Sequence, residues 1–200
     1  MAGAFSLARV AGRRRSVRLW AGGFAAIGAA AILGGSWHAF SPGLSAPSAD
    51  FLWKATLAAA GLAGCLLIAG AAFASVPRRG ATWVAGAAAI KLAVFLGRAL
   101  PGNVFDPVVL DSAATLAAIL ALQIFSFATR RAPSAPWVIA GVVVSAAASA
   151  VEAFRPKLLP DPLGPDAVYH LVEIAGLFLF YRGGRLFDDV DVAAQPNTSG

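Results

Sequence analysis

The chain has 200 residues, of which 58% are hydrophobic and 13% are charged, and its mean hydropathy is +0.73. Soluble domains carry roughly 25% charged residues, so this composition argues against a water-soluble core. The net charge of +6 comes from basic residues in short segments beside apolar blocks, which is typical of membrane proteins rather than nucleic-acid-binding proteins. The single cysteine, Cys65, rules out an intrachain disulfide and a cysteine-based metal site.

In chain order, residues 1–18 form a basic segment that we expect to be cytoplasmic. Six apolar blocks of about 17 to 25 residues follow, each of the length that crosses a bilayer. They lie at 19–38, 51–75, 81–100, 107–128, 136–154 and 165–181. The connections are rich in proline, glycine and serine, which favour turns. The sequence predicts an all-α polytopic membrane protein with a six-helix transmembrane domain over 19–181. Residues 182–200 are predicted to be a disordered cytoplasmic tail.

The basic residues predict the orientation of these helices. Five arginines before the first block, the pairs 78–79 and 130–131, and Arg182 with Arg185 fall on one side of the membrane. The positive-inside rule places that side, and both termini, in the cytoplasm. "RRRSVRLW" resembles the start of a signal peptide, but the block ends in "GGSWHAF" without a clear cleavage motif, which favours an uncleaved helix. Arginine-rich loops and Ala- and Gly-rich blocks suggest a bacterial inner-membrane protein.

Ionisable residues inside the apolar blocks are candidates for function, because burying each in a bilayer costs roughly 2.5–3.5 kcal/mol. Apart from Lys91 near the midplane, they cluster in the outer half. Helical spacing puts several on shared faces: Lys91 with Arg98, Asp111 with Thr115, Ser145 and Ser149 with Glu152, and Asp166 and His170 with Glu173. The sequence therefore predicts one outward-opening polar site between the helices.

The residue types in this site suit a metal. Two imidazoles and a carboxylate can bind zinc and leave a position open for water, so His38, Asp111 and His170 are predicted zinc ligands. Glu173 would act as general base or orient a ligand. Ser36 or Lys91 would stabilise developing charge, with Glu152 and Arg98 as further polar groups. The expected partners are membrane lipids and not nucleic acid, and the sequence leaves the oligomeric state open.

Ser36 and His38 at the end of one helix, Asp111 in a middle helix and His170 in the last resemble the alkaline ceramidase and progestin-receptor-like superfamily of membrane hydrolases. That resemblance implies a zinc-dependent hydrolase acting on a lipid-like substrate. The sequence departs from the superfamily in having six helices instead of seven, and Ile174 where a second histidine of the last helix would fall.

Other interpretations remain open. Asp111, Glu152, His170, Glu173 and Lys91 could conduct protons or bind a cation, although the inner half lacks polar residues to complete a path. Polar residues continuing to the cytoplasmic side would favour such transport. A sensor or assembly factor with an outward pocket is a third possibility. A purely structural interpretation pairs Glu173 with Lys91 and Asp111 with Arg98.

We also expect the five tryptophans to form an interfacial belt. Helix contacts are expected at small residues, namely Gly61, Gly64, Gly70 and Gly86.

Overall fold

A computed structural model describes residues 2–102, 106–154 and 165–190. Across these residues the fold is all-helical, with seven α-helices and no strand. The helices are α1 (Ala2–Ala11), α2 (Arg15–Phe40), α3 (Ala46–Phe73), α4 (Arg78–Gly102), α5 (Asp106–Arg130), α6 (Ala135–Phe154) and α7 (Pro165–Arg185). A short 3₁₀ turn, Ser41–Gly43, joins α2 to α3. The predicted all-α fold is confirmed, and each of the six apolar blocks forms one helix.

Four stretches within the described residues are long and apolar enough to cross a membrane. They are Arg15–Gly43, Ala46–Phe73, Arg78–Gly102 and Pro107–Arg130. In α6 the apolar stretch, Ala135–Ala150, is shorter. Large apolar side chains on the outer surfaces of these helices are widely exposed, for example Trp83 at 82% and Ile90 at 68%. Such a surface is expected of helices that face lipid.

Helix α3 is the centre of the bundle. It packs against α2, α4 and α5, while α6 packs against α7 and α5. Glycines on α3 allow the close approach: a Cβ at Gly61 would lie 2.6 Å from the Phe95 ring, and one at Gly70 would lie 2.9 Å from the carbonyl oxygen of Ser16. Small residues let membrane helices pack closely. The prediction fails only for Gly86, because that residue lies on an exposed face of α4 with nothing within 4 Å.

One end of the bundle gathers the basic residues, and we call it the basic end. Helix α1 lies there with Leu7 fully buried, and the Ser6 hydroxyl is 2.8 Å from the Tyr181 hydroxyl. Gly12, with φ of +51°, reverses the chain between α1 and α2, a left-handed conformation that glycine adopts without a steric penalty. The basic segment 1–18 thus contains a packed helix and the start of α2.

Residues 186–190 fold back onto the basic end, within the tail for which the sequence predicts disorder. Phe187 is fully buried and packs edge-on against Trp20, with 4.8 Å between ring centroids. Trp20 is itself fully buried, and its indole N–H donates to the Phe180 carbonyl at 3.1 Å. Trp20 therefore does not belong to an interfacial belt, because its ring is buried among apolar side chains and its N–H donates to a backbone carbonyl. Residues 191–200 lie outside the described residues.

Candidate functional site

The best-defined polar group away from the basic end is an ion pair between α4 and α5. The Lys91 ammonium donates to Oδ1 of Asp111 at 2.5 Å. It also donates to Oγ1 of Thr115 at 3.0 Å and is 3.4 Å from the Asp111 carbonyl oxygen. The side chain of Lys91 is 23% exposed and that of Asp111 9% exposed. An ammonium has three donors, and each has an acceptor here.

The local sequence explains why these three groups meet. Asp111 and Thr115 are four residues apart, so they share one face of α5. The Thr115 hydroxyl donates back to the Asp111 carbonyl at 2.8 Å, which leaves its oxygen lone pairs for Lys91. Gly64 of α3 lies behind this face, where an added Cβ would be 2.7 Å from Oγ1 of Thr115. The absence of a side chain at Gly64 therefore lets α5 approach α3 with its polar groups in place.

A groove of about 460 Å³ opens beside the ion pair. It forms because α4 and α5 both pack on α3 but touch each other little. Its walls are mostly apolar, and its polar groups are Lys91, Asp111 and the exposed Arg98. The full lining consists of Lys91, Val94, Phe95, Arg98, Pro107, Leu110, Asp111 and Ala114. We call it the α4–α5 groove. Two cations face one carboxylate, so its net charge is positive.

The predicted metal ligands are not brought together. His38 is exposed at the end of α2 and His170 is exposed near the start of α7, each with its ring about 5 Å from that of the preceding aromatic residue. Asp111 is bound to Lys91. Among the described residues there is no group of three His, Cys, Asp or Glu side chains that could hold a metal ion. The residues as placed do not fit zinc, so we derive no step through a metal.

The remaining predicted site residues are dispersed. Glu173 accepts a hydrogen bond from the buried hydroxyl of Ser145 at 3.2 Å, and this contact joins α7 to α6. The expected pairs of Glu173 with Lys91 and of Asp111 with Arg98 are therefore wrong, because Lys91 pairs with Asp111 instead. Ser36 is half-buried near His38 on α2 and is not among the groove residues. The side chain of Glu152 lies outside the described residues.

A second polar cluster, which the sequence analysis missed, lies toward the basic end. The buried Gln123 side-chain amide donates to the Ser75 hydroxyl at 3.1 Å, while its oxygen is buried and lacks a hydrogen-bond partner within the described part of the chain. Arg130 donates to the buried Ser126 hydroxyl at 2.9 Å and to the Ala74 carbonyl at 2.5 Å. A signal existed: Asp111, Thr115, Gln123 and Ser126 follow helical spacing on one face of α5. The prediction that this half of the bundle lacks polar residues is therefore wrong, because it was based on ionisable side chains and left out amides and hydroxyls.

Comparison with known proteins adds one relationship. A family described as "Family of unknown function (DUF6962)" matches residues 1–189. The chain belongs to this family. The DUF6962 match spans α1 to α7 and includes the folded-back tail as far as Asp189. No curated protein and no solved structure matches the chain, so the resemblance to alkaline ceramidases gains no support.

Proposed function

We propose that this protein is an integral membrane protein that binds an anionic phospholipid-like amphiphile in the α4–α5 groove. The observation that carries the proposal is the groove itself, with apolar walls, two cations and one carboxylate. Its rim is formed by exposed apolar side chains such as Val94 at 54% and Leu110 at 65%. A lipid could enter sideways across such a rim without leaving the bilayer.

The membrane arrangement in this proposal has six spanning helices, α2 to α7, with both termini in the cytoplasm. Four of them meet the length and hydropathy expected of a span. Helices α6 and α7 pack closely on each other: a Cβ at Gly141 would lie 2.6 Å from the Phe180 ring, and Ser145 shields Glu173. The basic end then faces the cytoplasm by the positive-inside rule. A bacterial inner membrane is the location this orientation rule describes best.

The depths of the two cations suit a phospholipid. Lys91 is 13 residues after Arg78, about 20 Å along α4, and Arg98 is seven residues or about 10 Å further. In a hydrocarbon core of about 30 Å, Arg98 lies near the outer interface and Lys91 lies deeper. An anionic head would bind at the exposed Arg98, and an ester oxygen near Lys91 would replace one of the acceptors of its ammonium on α5. The acyl chain would lie along Val94 and Leu110.

The test measures phospholipid retained by the detergent-purified protein, using native mass spectrometry with phosphatidylglycerol or phosphatidylcholine added. Arg98→Met and Lys91→Met should each weaken binding of phosphatidylglycerol by about tenfold, the effect of losing one charge-assisted hydrogen bond. Lys54→Met is the matched control, because Lys54 lies outside the groove and pairs with Asp50 at 2.7 Å. Equal retention by all three variants would show that the groove does not select the lipid.

Hydrolysis of the bound lipid stays a prediction of the sequence. The groove supplies cations that could stabilise developing negative charge, but its described lining residues include no serine, threonine, cysteine or histidine that could act as a nucleophile. Binding, as in a sensor or a carrier of lipid, needs only the groups already in place. The binding experiment is therefore informative whichever fate the lipid has.

Proton or ion conduction is the second candidate, and a specific observation favours it. Polar groups on α5 continue from Asp111 and Thr115 to Gln123 and Ser126, so they extend toward the basic end. The buried Ile119 interrupts this line, which spans about 12 Å between Thr115 and Gln123 at 1.5 Å per residue. Conduction therefore requires water to cross Ile119.

A flux assay in liposomes separates this candidate from lipid binding. Ile119→Ser should raise proton flux, and adding Gln123→Leu should abolish the increase, because the oxygen that accepts the next hydrogen bond is removed. Ala118→Ser is the control, since it adds the same hydroxyl on a neighbouring face of α5. Flux that is unchanged by Ile119→Ser, or raised equally by both serine substitutions, would count against a path along this face.

A further inference from the structure

A second cavity, of about 190 Å³, lies at the basic end, far from the α4–α5 groove. Four segments of the chain meet around it. Its lining consists of Arg13, Arg15, Phe73, Val76, Arg78, Asp189 and Val190. We call it the basic pocket. Three of its seven lining residues are arginines: Arg13 lies in the turn between α1 and α2, Arg15 begins α2, and Arg78 begins α4.

The tail holds the walls of the basic pocket in place. The Asp189 carboxylate accepts the backbone N–H groups of Arg15 at 2.8 Å and Ser16 at 3.0 Å, so it caps the N-terminus of α2. The backbone N–H of Val190 donates to the Phe73 carbonyl at 3.3 Å. Three hydrogen bonds therefore tie the tail to α2 and to the end of α3. The pocket is a built cavity and not a gap between loose loops.

The lining of the basic pocket is rich in arginine. It contains three arginines and one aspartate, and both carboxylate oxygens of that aspartate already accept backbone N–H groups. Consecutive arginines make different contacts here. Arg14 donates to the Phe187 carbonyl at 2.9 Å and pairs with Asp188 at 3.3 Å, so it binds residues of the tail. Its neighbours Arg13 and Arg15 line the cavity instead.

We propose that the basic pocket binds a phosphate group through Arg13, Arg15 and Arg78. Planar guanidinium groups match phosphate oxygens with paired hydrogen bonds, which makes arginine the preferred residue for this ligand. The pocket lies where basic clusters meet the headgroups of a bilayer, so the phosphate can belong to an anionic lipid or be free in solution. This site is independent of the groove ligand, since it lies at the other end of the bundle.

The test uses the full chain with two probes: inorganic phosphate in detergent, and nanodiscs of phosphatidylglycerol compared with phosphatidylcholine. Binding is followed by the shift in thermal unfolding for inorganic phosphate, and by native mass spectrometry for retained lipid. The double substitution R13Q/R78Q should weaken binding by at least about tenfold, because two charge-assisted contacts are lost. R15Q is a second variant that should act in the same direction while the α2 cap, which uses only the Arg15 backbone, is retained.

The control is R9Q/R182Q, which removes the same charge at the same end. Those guanidinium groups lie over the rings of Phe5 and Trp137, 4.2 and 5.1 Å from the centroids. If the pocket variants lose binding of inorganic phosphate and the control does not, the ligand is a free phosphate. If they lose phosphatidylglycerol but show no change with inorganic phosphate, the ligand is a lipid headgroup. Either result supports the site. Equal weakening in the control and pocket variants, or no weakening in either, would overturn it, because the effect would then be general charge or absent.

Discussion

The Lys91–Asp111 ion pair allows a prediction that separates stability from ligand binding. Replacing Asp111 with leucine leaves the Lys91 ammonium next to an apolar side chain in a largely buried position. Removing one partner of a buried pair costs about 3–5 kcal/mol. We expect about 3 kcal/mol, at the lower limit, because Lys91 is 23% exposed and keeps Thr115 and the carbonyl of residue 111 as acceptors. That value lowers the folding equilibrium constant by about a hundredfold.

The double substitution K91M/D111L should restore most of this loss. A methionine and a leucine of similar volume replace two charges that no longer need to be desolvated, and such exchanges are neutral or stabilising in other proteins. We expect the free energy of unfolding of the double variant to be within about 1 kcal/mol of that of the natural protein. The proposed phospholipid binding should nevertheless be weakened by about tenfold in the double variant, as in Lys91→Met alone, because the ammonium is gone.

The assay is equilibrium unfolding in mixed micelles with increasing fractions of sodium dodecyl sulfate, followed by tryptophan fluorescence. Phosphatidylglycerol binding is then measured on the same four proteins, namely the natural protein, Asp111→Leu, Lys91→Met and the double variant. A double variant as unstable as the sum of its single variants would refute the reasoning about the ion pair, because the two residues would not be coupled. A stable double variant that binds the lipid normally would refute the role given to Lys91.

Three further predictions concern the basic end and are checked by the same unfolding assay. Phe187→Ala should lower the free energy of unfolding by about 3–5 kcal/mol, because the Phe187 ring is fully buried. Leu186→Ala should lower it little, because Leu186 is 40% exposed. Equal effects would mean that the tail does not pack on the bundle. Gly184→Ala should lower the free energy of unfolding by about 1–3 kcal/mol, because its Cβ would overlap the Trp20 indole ring. Gly86→Ala should raise it by up to about 1 kcal/mol, because nothing lies within 4 Å of the added Cβ. The opposite order would contradict the helix packing. Asp189→Ala should lose about 1 kcal/mol as the cap of α2 is removed, and no loss would show that the cap is not formed in solution.

The sequence was sufficient for the helices because apolar length is itself a physical constraint. A helix that crosses a bilayer needs about 20 apolar residues, and the blocks at 51–75 and 107–128 contain α3 and α5 almost from end to end. Helix α1 was not predicted, since ten residues are too few to span a bilayer and give no such signal. The ordering of 186–190 was also missed, because Phe187 becomes buried only through contact with Trp20, 167 positions earlier in the chain.

The candidate site shows where sequence reasoning stops. Lys91 and Asp111 were both predicted in one site, with Asp111 as a zinc ligand and Lys91 as a group that stabilises developing charge, but their pairing was missed. Helical periodicity places residues on faces of their own helix, but it does not give the rotation or offset between helices. Lys91 reaches Asp111 only because Gly64 lets α5 approach α3 closely. Gln123 was overlooked for a different reason: an amide carries no charge, although burial makes its hydrogen bonding equally demanding.

The same contacts that form the α4–α5 groove also determine how a ligand could act on it. Helix α4 packs on α3 at Gly61, and α5 packs on α3 at Gly64, about one helical turn further along. The two helices touch each other little. Lys91 bridges them with three donors that all have acceptors on α5. An incoming anion can bind this ammonium only by replacing one of those acceptors. Lipid binding at Lys91 would therefore weaken the connection between α4 and α5, which links the contents of the groove to the separation of the two helices.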